Sequence, residues 1–182
     1  MTRIVGSHNT LLDVSDEDAM EFLNIVQDIV QNTEFQKLKH YRHHMFSTRY
    51  QHCLNVAWYS YCMSKRRKLN YVSCTRGALL HDFYLYDSHR EKAPIPGRHC
   101  VVHTQVALAN AKHWFPVDDV MEDCIANHMF PTAPTLPRTR EGWIVSRADK
   151  YCASLEWSEH YSKILETIFK YSLGPLFQVR EN

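Results

Sequence analysis

Residues 77–87 read GALLHDFYLYD, and this stretch decides how the rest of the chain is interpreted. Its apolar first half predicts the end of a helix, after which His81 and Asp82 stand side by side. Neighbours in a regular helix diverge by about 100°. Both side chains therefore reach one site only if the pair lies at a helix end or faces two metal ions. Asp82, with two carboxylate oxygens, is the natural bridge between two ions.

Four further candidate ligands lie outward from this pair along the chain. His52 stands before it in RYQHCLNVA, and after it VVHTQVALA, IANHMFP and SRADKYCAS carry His103, His128 and Asp149. Imidazole and carboxylate together suit divalent transition metals, and ligands on separate helices converge in the cores of helical bundles. A lone helical histidine is commonly hydrogen-bonded or partly exposed. The metal site is therefore predicted from all six residues together.

The background of these residues is helical, because apolar residues recur at spacings of three and four. No stretch has the alternation of a strand. The pattern predicts helices over 16–31 (capped by Ser15), 48–69 (capped by Ser47 or Thr48), 71–85, 103–114, 117–128, 142–156 and 158–172. Polar stretches with several prolines predict long loops over 87–100 and 131–142. We predict an all-α fold, a single-domain helical bundle.

Composition narrows the class of partner. The 182 residues are 45% hydrophobic and 23% charged, as in one ordinary globular domain. The 21 basic and 20 acidic residues leave a net charge of +1, which predicts a small-molecule partner rather than nucleic acid or a membrane. The six cysteines form no Cys-x-x-Cys pair, and no signal peptide or apolar span is evident. We predict a cytoplasmic protein with reduced thiols.

The order H…HD…H…H…D on a helical background resembles the HD-domain superfamily of metal-dependent phosphohydrolases. The resemblance covers about residues 45–157 and implies a metal-binding catalytic core there, with an N-terminal helical segment at 1–44 and a C-terminal helix and tail at 158–182. It implies that His52, His81, Asp82 and Asp149 bind one ion. His103 and His128 match the extra histidines of members with two ions, so the resemblance implies a binuclear centre.

The chain departs from that family at several positions. Phe83 and Tyr84 follow the His-Asp pair where relatives often have Ile-Gly, and no GYP motif is present. HTQVALANA stands where two-metal members often have HPxxGA, and Asn127 precedes His128 where some relatives have a second histidine. These departures bear on substrate choice and on the second ion, and leave six candidate ligands in place.

The resemblance implies a phosphomonoesterase or phosphodiesterase acting on a nucleotide or another small phosphorylated metabolite. Two ions about 3.5–4 Å apart hold a bridging hydroxide that attacks phosphorus at neutral pH. Asp82 is the catalytic bridge, and Arg49, three residues before His52, is a candidate to orient the phosphate. The candidate substrate-binding residues are Arg49, Arg98, His99 and Lys150. Fe or Mn is the expected metal, and Co, Ni, Zn or Mg is also admissible.

Other cations and aromatics receive structural interpretations. The run Arg42, His43 and His44 either lines the mouth of the site or forms an exposed basic turn, and the exposed turn is the favoured interpretation. The loop cations His89 and Lys92 serve either solubility or substrate binding. Tyr84, Tyr86 and Trp143 are interpreted as core residues rather than stacking partners for a base.

Two other functions stay open at this point. One is a di-iron oxygenase of the same superfamily, since the ligand set hardly distinguishes it from a hydrolase. The other is a catalytically silent HD domain that binds or senses a ligand. The oligomeric state is also open, because the apolar tail YSKILETIFKYSLGPLF, residues 161–177, can bury against its own core or against a second copy.

Overall fold

Four of the described helices have 16 residues or more, and the other three have between 4 and 10. The structure is a computed structural model that describes residues 16–43, 47–88 and 90–168. Ser15, His44, His89 and the tail beyond residue 168 lie outside the described residues. The described helices are α1 (Asp16–Gln31), α2 (Thr33–Gln36), α3 (Arg49–Arg66), α4 (Tyr71–Leu80), α5 (His99–Trp114), α6 (Asp119–Ala126) and α7 (Arg140–Ile168), with one 3-10 turn at Lys37–His40. The predicted all-α fold is confirmed.

Polar side chains set the starts of several helices. Thr48 accepts a hydrogen bond from the Gln51 backbone N–H at 3.2 Å, as the sequence predicted for α3. Asn70 and Asp118 cap α4 and α6 in the same way. Each cap satisfies a backbone donor that the first turn of a helix leaves without a partner. The starts of these helices are therefore determined by residues that lie next to them in the chain.

The core is built around α3, which is buried on nearly all sides and packs against α4 and α7. The helix α4 in turn packs against α6. A Cβ added at Gly77 would lie 2.7 Å from Cys124 Cβ, so the glycine permits the close approach of α4 and α6. The first helix adds Phe22 to the same core, where its ring meets Trp58 edge-on at 5.0 Å.

Several predicted bounds are wrong. The predicted helix over 71–85 ends at Leu80, where the chain turns and buries Phe83 in the core. The predicted pair of helices over 142–156 and 158–172 is one helix, α7, because no proline or glycine interrupts it near Trp157. The helix predicted over 103–114 begins at His99, and that over 117–128 spans only Asp119–Ala126.

One short sheet was not predicted. Strand β1 (Arg42–His43) pairs antiparallel with β2 (Ser47–Thr48), so that His43 lies opposite Ser47. Two residues are too few for an alternating pattern to be read from sequence. This hairpin leads directly into α3 and brings His43 close to that helix.

None of the described helices has both the length and the apolar character that crossing a bilayer requires. All six cysteines are free thiols, and five of them are buried.

Candidate metal centre

The structure brings the six predicted ligands together in the middle of the helical bundle. His52 comes from α3, the His81-Asp82 pair follows α4, His103 lies in α5, and Asp149 lies in α7. His128 is two residues beyond the end of α6. All four histidines and Asp82 are buried, and the Asp149 side chain is 15% exposed. The turn after Leu80 is what allows both members of the His-Asp pair to face the centre.

One group of ligand atoms gathers around Asp149. The Nε2 atom of His52 lies 3.1 Å from Asp149 Oδ1, and His81 Nε2 lies 3.8 Å from the same oxygen. The ligand atoms of these three residues all lie within 4.8 Å of one another. Two imidazoles and one carboxylate at these separations can hold a transition-metal ion.

A second group gathers around Asp82. Its Oδ1 lies 3.4 Å from His103 Nε2 and 3.7 Å from His128 Nε2, and those two nitrogens are 3.2 Å apart. Its Oδ2 lies 3.9 Å from His81 Nε2. The two oxygens of one carboxylate therefore approach different histidines. The arrangement has the form that a bridging carboxylate would need.

Three of the histidines are held in a ligand tautomer by their own helices. The Nδ1 atoms of His81, His103 and His128 lie 2.7–2.8 Å from the carbonyl oxygens of Ala78, His99 and Ile125. A carbonyl only accepts, so each Nδ1 carries the hydrogen and each Nε2 keeps its lone pair for the centre. Each acceptor is three or four residues earlier in the chain, so these orientations follow from helical geometry.

Two polar atoms in the centre have no hydrogen-bond partner among the described residues. His81 Nε2 and Asp82 Oδ1 are both buried without one. A buried polar atom without a partner costs free energy, and such atoms are uncommon in folded proteins. Both are lone-pair donors of the kind that a cation satisfies. The residues therefore fit a metal ion better than they fit a purely structural core.

The electrostatics give most of these ligands the charge state that a metal needs. Burial lowers the pKa of His81, and it lowers that of His128 to about 3. Burial opposes ionisation of Asp82, but the nearby histidines, His81 first, outweigh it and hold the pKa of Asp82 well below its ordinary value. The pKa of Asp149 is lowered against burial, chiefly by its hydrogen bond with His52. Neutral imidazoles and ionised carboxylates are the ligand forms.

His52 differs from the other histidines because Glu156 holds its outer nitrogen. His52 Nδ1 lies 3.1 Å from Glu156 Oε1, and Glu156 also accepts hydrogen bonds from Asn55 and Ser47. Burial disfavours the charged imidazole, but the hydrogen bonds to Asp149 and Glu156 outweigh it and raise the pKa of His52 to about 10. Sequence reasoning missed Glu156, which lies on α7 two turns beyond Asp149.

His43 is a second residue that sequence reasoning placed wrongly. Its Nδ1 lies 3.9 Å from Asp82 Oδ2, and its ring centroid lies 3.9 Å from that of His52. His43, His52 and Asp82 form a third group whose ligand atoms lie within 4.8 Å of one another. The interpretation of His43 as part of an exposed basic turn is therefore wrong, while Arg42 is exposed.

Arg49 is buried, and its guanidinium donates hydrogen bonds to backbone carbonyl oxygens. Its side chain, 1% exposed, donates to the carbonyl oxygen of Tyr84 at 2.6 Å and to that of Tyr86 at 3.3 Å. The guanidinium carbon also lies 3.5 Å from the centroid of the Tyr84 ring. These contacts hold the segment that follows the His-Asp pair. Both tyrosines are buried, and Trp143 is half-buried.

Among the other predicted substrate-binding residues, Lys150 and His99 lie close to candidate ligands. Lys150 donates to the carbonyl oxygens of His128 at 2.9 Å and Ser146 at 3.0 Å, and burial lowers its pKa. Arg98 and His99 are exposed at the start of α5. The His99 ring centroid lies 4.8 Å from that of His103, so His99 lies beside a candidate ligand.

Comparison with known proteins gives one family. The model of the HD domain matches residues 49–154, which is more than half of the chain. No curated protein and no solved structure gives a significant match. The matched stretch contains all six converging ligands, and the groups of histidine and aspartate fit metal binding. The chain belongs to the HD domain family.

Proposed function

We propose that the protein is a metal-dependent phosphohydrolase with a centre for two divalent ions. One observation carries the proposal: the two oxygens of Asp82 approach different histidines, and Oδ1 is buried without a hydrogen-bond partner. A carboxylate in that arrangement serves two ions better than one. The family supports the same reading, since HD domains are largely metal-dependent hydrolases.

The ligands divide between two positions that share Asp82. His52, His81, Asp82 and Asp149 would hold one ion, and Asp82, His103 and His128 would complete the other. The donors are nitrogen and oxygen, which suit Fe or Mn and also admit Co, Ni or Zn. Bound ions would activate a water molecule as nucleophile and offset the charge of a phosphoryl group.

The remaining residues position these ligands or receive the substrate. We assign positioning roles to Arg49 and Lys150, because backbone carbonyls already engage both cations. Arg98 and His99 are exposed at the start of α5, and they are proposed to receive the phosphate of the substrate. The proposed substrate is a nucleotide or a similar small phosphorylated metabolite.

Substitution of Asp82 tests the proposal. Asp82→Ala removes the shared ligand, and Asp87→Ala removes a partly exposed carboxylate five residues later as a matched control. We expect about two transition-metal ions per chain in the parent protein by elemental analysis, and at most one in the Asp82 variant. Phosphate release from a nucleotide panel is expected to fall at least ~100-fold in that variant, because the ions would supply the nucleophile.

Two results would contradict the proposal. Unchanged metal content and activity in Asp82→Ala would remove the two-ion centre. Product formation that stops under anaerobic conditions, with iron bound and without phosphate release, would instead identify an oxygenase. A hydrolase is expected to work equally well without oxygen.

A further inference from the structure

A cavity lies between the C-terminal half of α3 and the middle of α7, and we call it the α3–α7 cavity. Its volume is about 730 Å³, within the range of small-molecule sites. It is lined by Tyr59, Cys62, Met63, Arg66, Arg67, Arg147 and Tyr151. The lining includes three arginines and no acidic residue.

This cavity is separate from the metal centre. Tyr59, the lining residue nearest to His52 in sequence, lies two turns beyond it, which is about 10 Å along the axis of α3. On α7, Arg147 and Tyr151 stand two residues before and after Asp149. At about 100° per residue, both project about 160° away from Asp149 around the helix. A molecule in the cavity would therefore meet none of the six ligands.

The arginines of the cavity keep their charge available. Neighbouring Lys65 is paired with Asp18 and Glu21, whereas no carboxylate within the described part of the chain forms an ion pair with Arg66 or Arg147. The Arg67 side chain donates to the Met63 carbonyl oxygen, and it forms no ion pair with a carboxylate among the described residues. The whole chain has a net charge of +1, so this concentration of guanidinium groups is local. Guanidinium pairs well with phosphate, which its planar fork contacts through two hydrogen bonds.

The rest of the lining is aromatic and apolar. The rings of Tyr59 and Tyr151 meet edge-to-face with centroids 5.2 Å apart, and Tyr151 is 40% exposed. An exposed tyrosine ring held by a second ring offers a surface for stacking. The cavity is also far larger than an inorganic phosphate needs. Its ligand should therefore combine several negative charges with a flat ring.

We propose that the α3–α7 cavity binds a nucleoside polyphosphate. The phosphates contact Arg66, Arg67 and Arg147, and the base packs against Tyr151. No metal ligand takes part, so binding at this cavity is independent of the proposed hydrolase centre.

Calorimetric titration of the whole chain with adenosine 5′-(β,γ-imido)triphosphate, in the presence of EDTA, tests this site. Binding is expected for the parent protein and equally for Asp82→Ala. The double variant Arg66→Ala/Arg147→Ala is expected to bind at least ~10-fold more weakly, because two charged phosphate contacts are lost. Lys37→Ala/Lys112→Ala removes the same charge from exposed positions elsewhere and should leave affinity within twofold.

Tripolyphosphate serves as a second probe, because it carries the phosphate charge of the nucleotide but has no base. It therefore shows how much the base contributes to binding. It is expected to bind the parent protein several-fold more weakly than the nucleotide, and Tyr151→Leu should abolish that difference. Because the substituted residues are exposed, the variants are expected to fold, and a cooperative thermal melting transition checks this. If the double variant nevertheless unfolds, Arg66→Gln and Arg147→Gln as single variants serve in its place, each expected to weaken binding about threefold.

Three results would overturn the proposal. One is the absence of nucleotide binding to the parent protein at millimolar concentration. Another is binding that survives both arginine substitutions, and the last is binding lost in Asp82→Ala, which would assign the nucleotide to the metal centre. None of these results bears on metal content or phosphate release, so the proposed hydrolase is tested separately.

Discussion

Each histidine of the centre depends on a second contact that fixes its ring. Backbone carbonyls hold His81, His103 and His128, but His52 relies on the Glu156 carboxylate at 3.1 Å. A carboxylate behind a metal-binding imidazole orients the ring and raises its basicity. Glu156 itself is anchored by Asn55 and Ser47, so its position is well determined.

Glu156→Gln should weaken metal binding by about 10–100-fold, because the amide cannot support a basic imidazole as the carboxylate does. The measurement is a competitive titration of metal against a chelator of known affinity. Glu17→Gln, which removes an exposed carboxylate on α1, serves as the control and should bind metal normally. Equal affinity for the parent protein and Glu156→Gln would mean that Glu156 has no part in the metal centre.

The residue scale is where the sequence predicted most and where its misses are easiest to explain. The six candidate ligands were predicted from residue type and order, and the structure brings all six side chains together. Glu156 was missed because the resemblance implied no ligand or supporting residue there, although the predicted helix over 142–156 contains both Glu156 and Asp149. In one continuous helix a spacing of seven residues places Glu156 on the same face as Asp149. His43 was missed because it reaches the centre through a hairpin too short to leave a periodic signal.

At the scale of elements, one buried carboxylate joins α6 to the start of α7. Asp123 accepts hydrogen bonds from the backbone N–H groups of Arg138 and Thr139, from the Thr139 hydroxyl and from the Asn127 amide. It is fully buried. A Cβ on Gly142 would collide with this carboxylate, so the glycine lets α7 begin close to α6. These contacts hold together the two ends of the segment that connects α6 and α7, and His128 belongs to that segment.

Asp123→Asn should lower the free energy of unfolding by about 2–4 kcal/mol, because charge-assisted hydrogen bonds to several donors are weakened at a buried position. Those hydrogen bonds outweigh burial and lower the pKa of Asp123. Its contribution is therefore present above the ordinary aspartate pKa of about 3.9 and is lost as pH falls through the lower folded value.

Urea unfolding at pH 7 and at pH 3 measures both effects. The difference in free energy of unfolding between the parent protein and Asp123→Asn should be smaller at the lower pH. Asp119→Asn, which changes an exposed carboxylate on α6, should stay within 0.5 kcal/mol of the parent, roughly as surface substitutions do. An equal difference in free energy of unfolding at both pH values would show that the charge of Asp123 is not what stabilises the contact between α6 and the start of α7.

Element bounds were predictable where a capping side chain or a proline sets them. Thr48 begins α3, and Pro116 lies in the break between α5 and α6, both as expected. The end of α4 was not predictable, since no helix-breaking residue follows Leu80. There the burial of Phe83 and the turn at His81 and Asp82 decide the outcome, and such contacts between distant elements leave no local signal.

At the scale of the whole molecule, the centre is formed by side chains from most of the helices of the bundle or from the segments that follow them. Its ligands come from α3, α5 and α7 and from the segments that follow α4 and α6. The first and last of the six, His52 and Asp149, are 97 positions apart and lie 3.1 Å from each other. The sequence predicted the helical class from periodicity, but which faces of the helices meet is fixed only by packing.

A metal bound at this point should stabilise the entire fold. A ligand that binds only the folded state adds about 2.7 kcal/mol at a concentration 100 times its Kd. For a chain of this size each kcal/mol corresponds to about 2–4 °C, so metal loading should raise Tm by about 5–10 °C. Calorimetry on chelator-treated and metal-loaded protein measures the shift, and Asp82→Ala should show much less of it. An identical Tm with and without metal, in protein whose elemental analysis shows bound ions, would mean that the ions sit outside the buried centre.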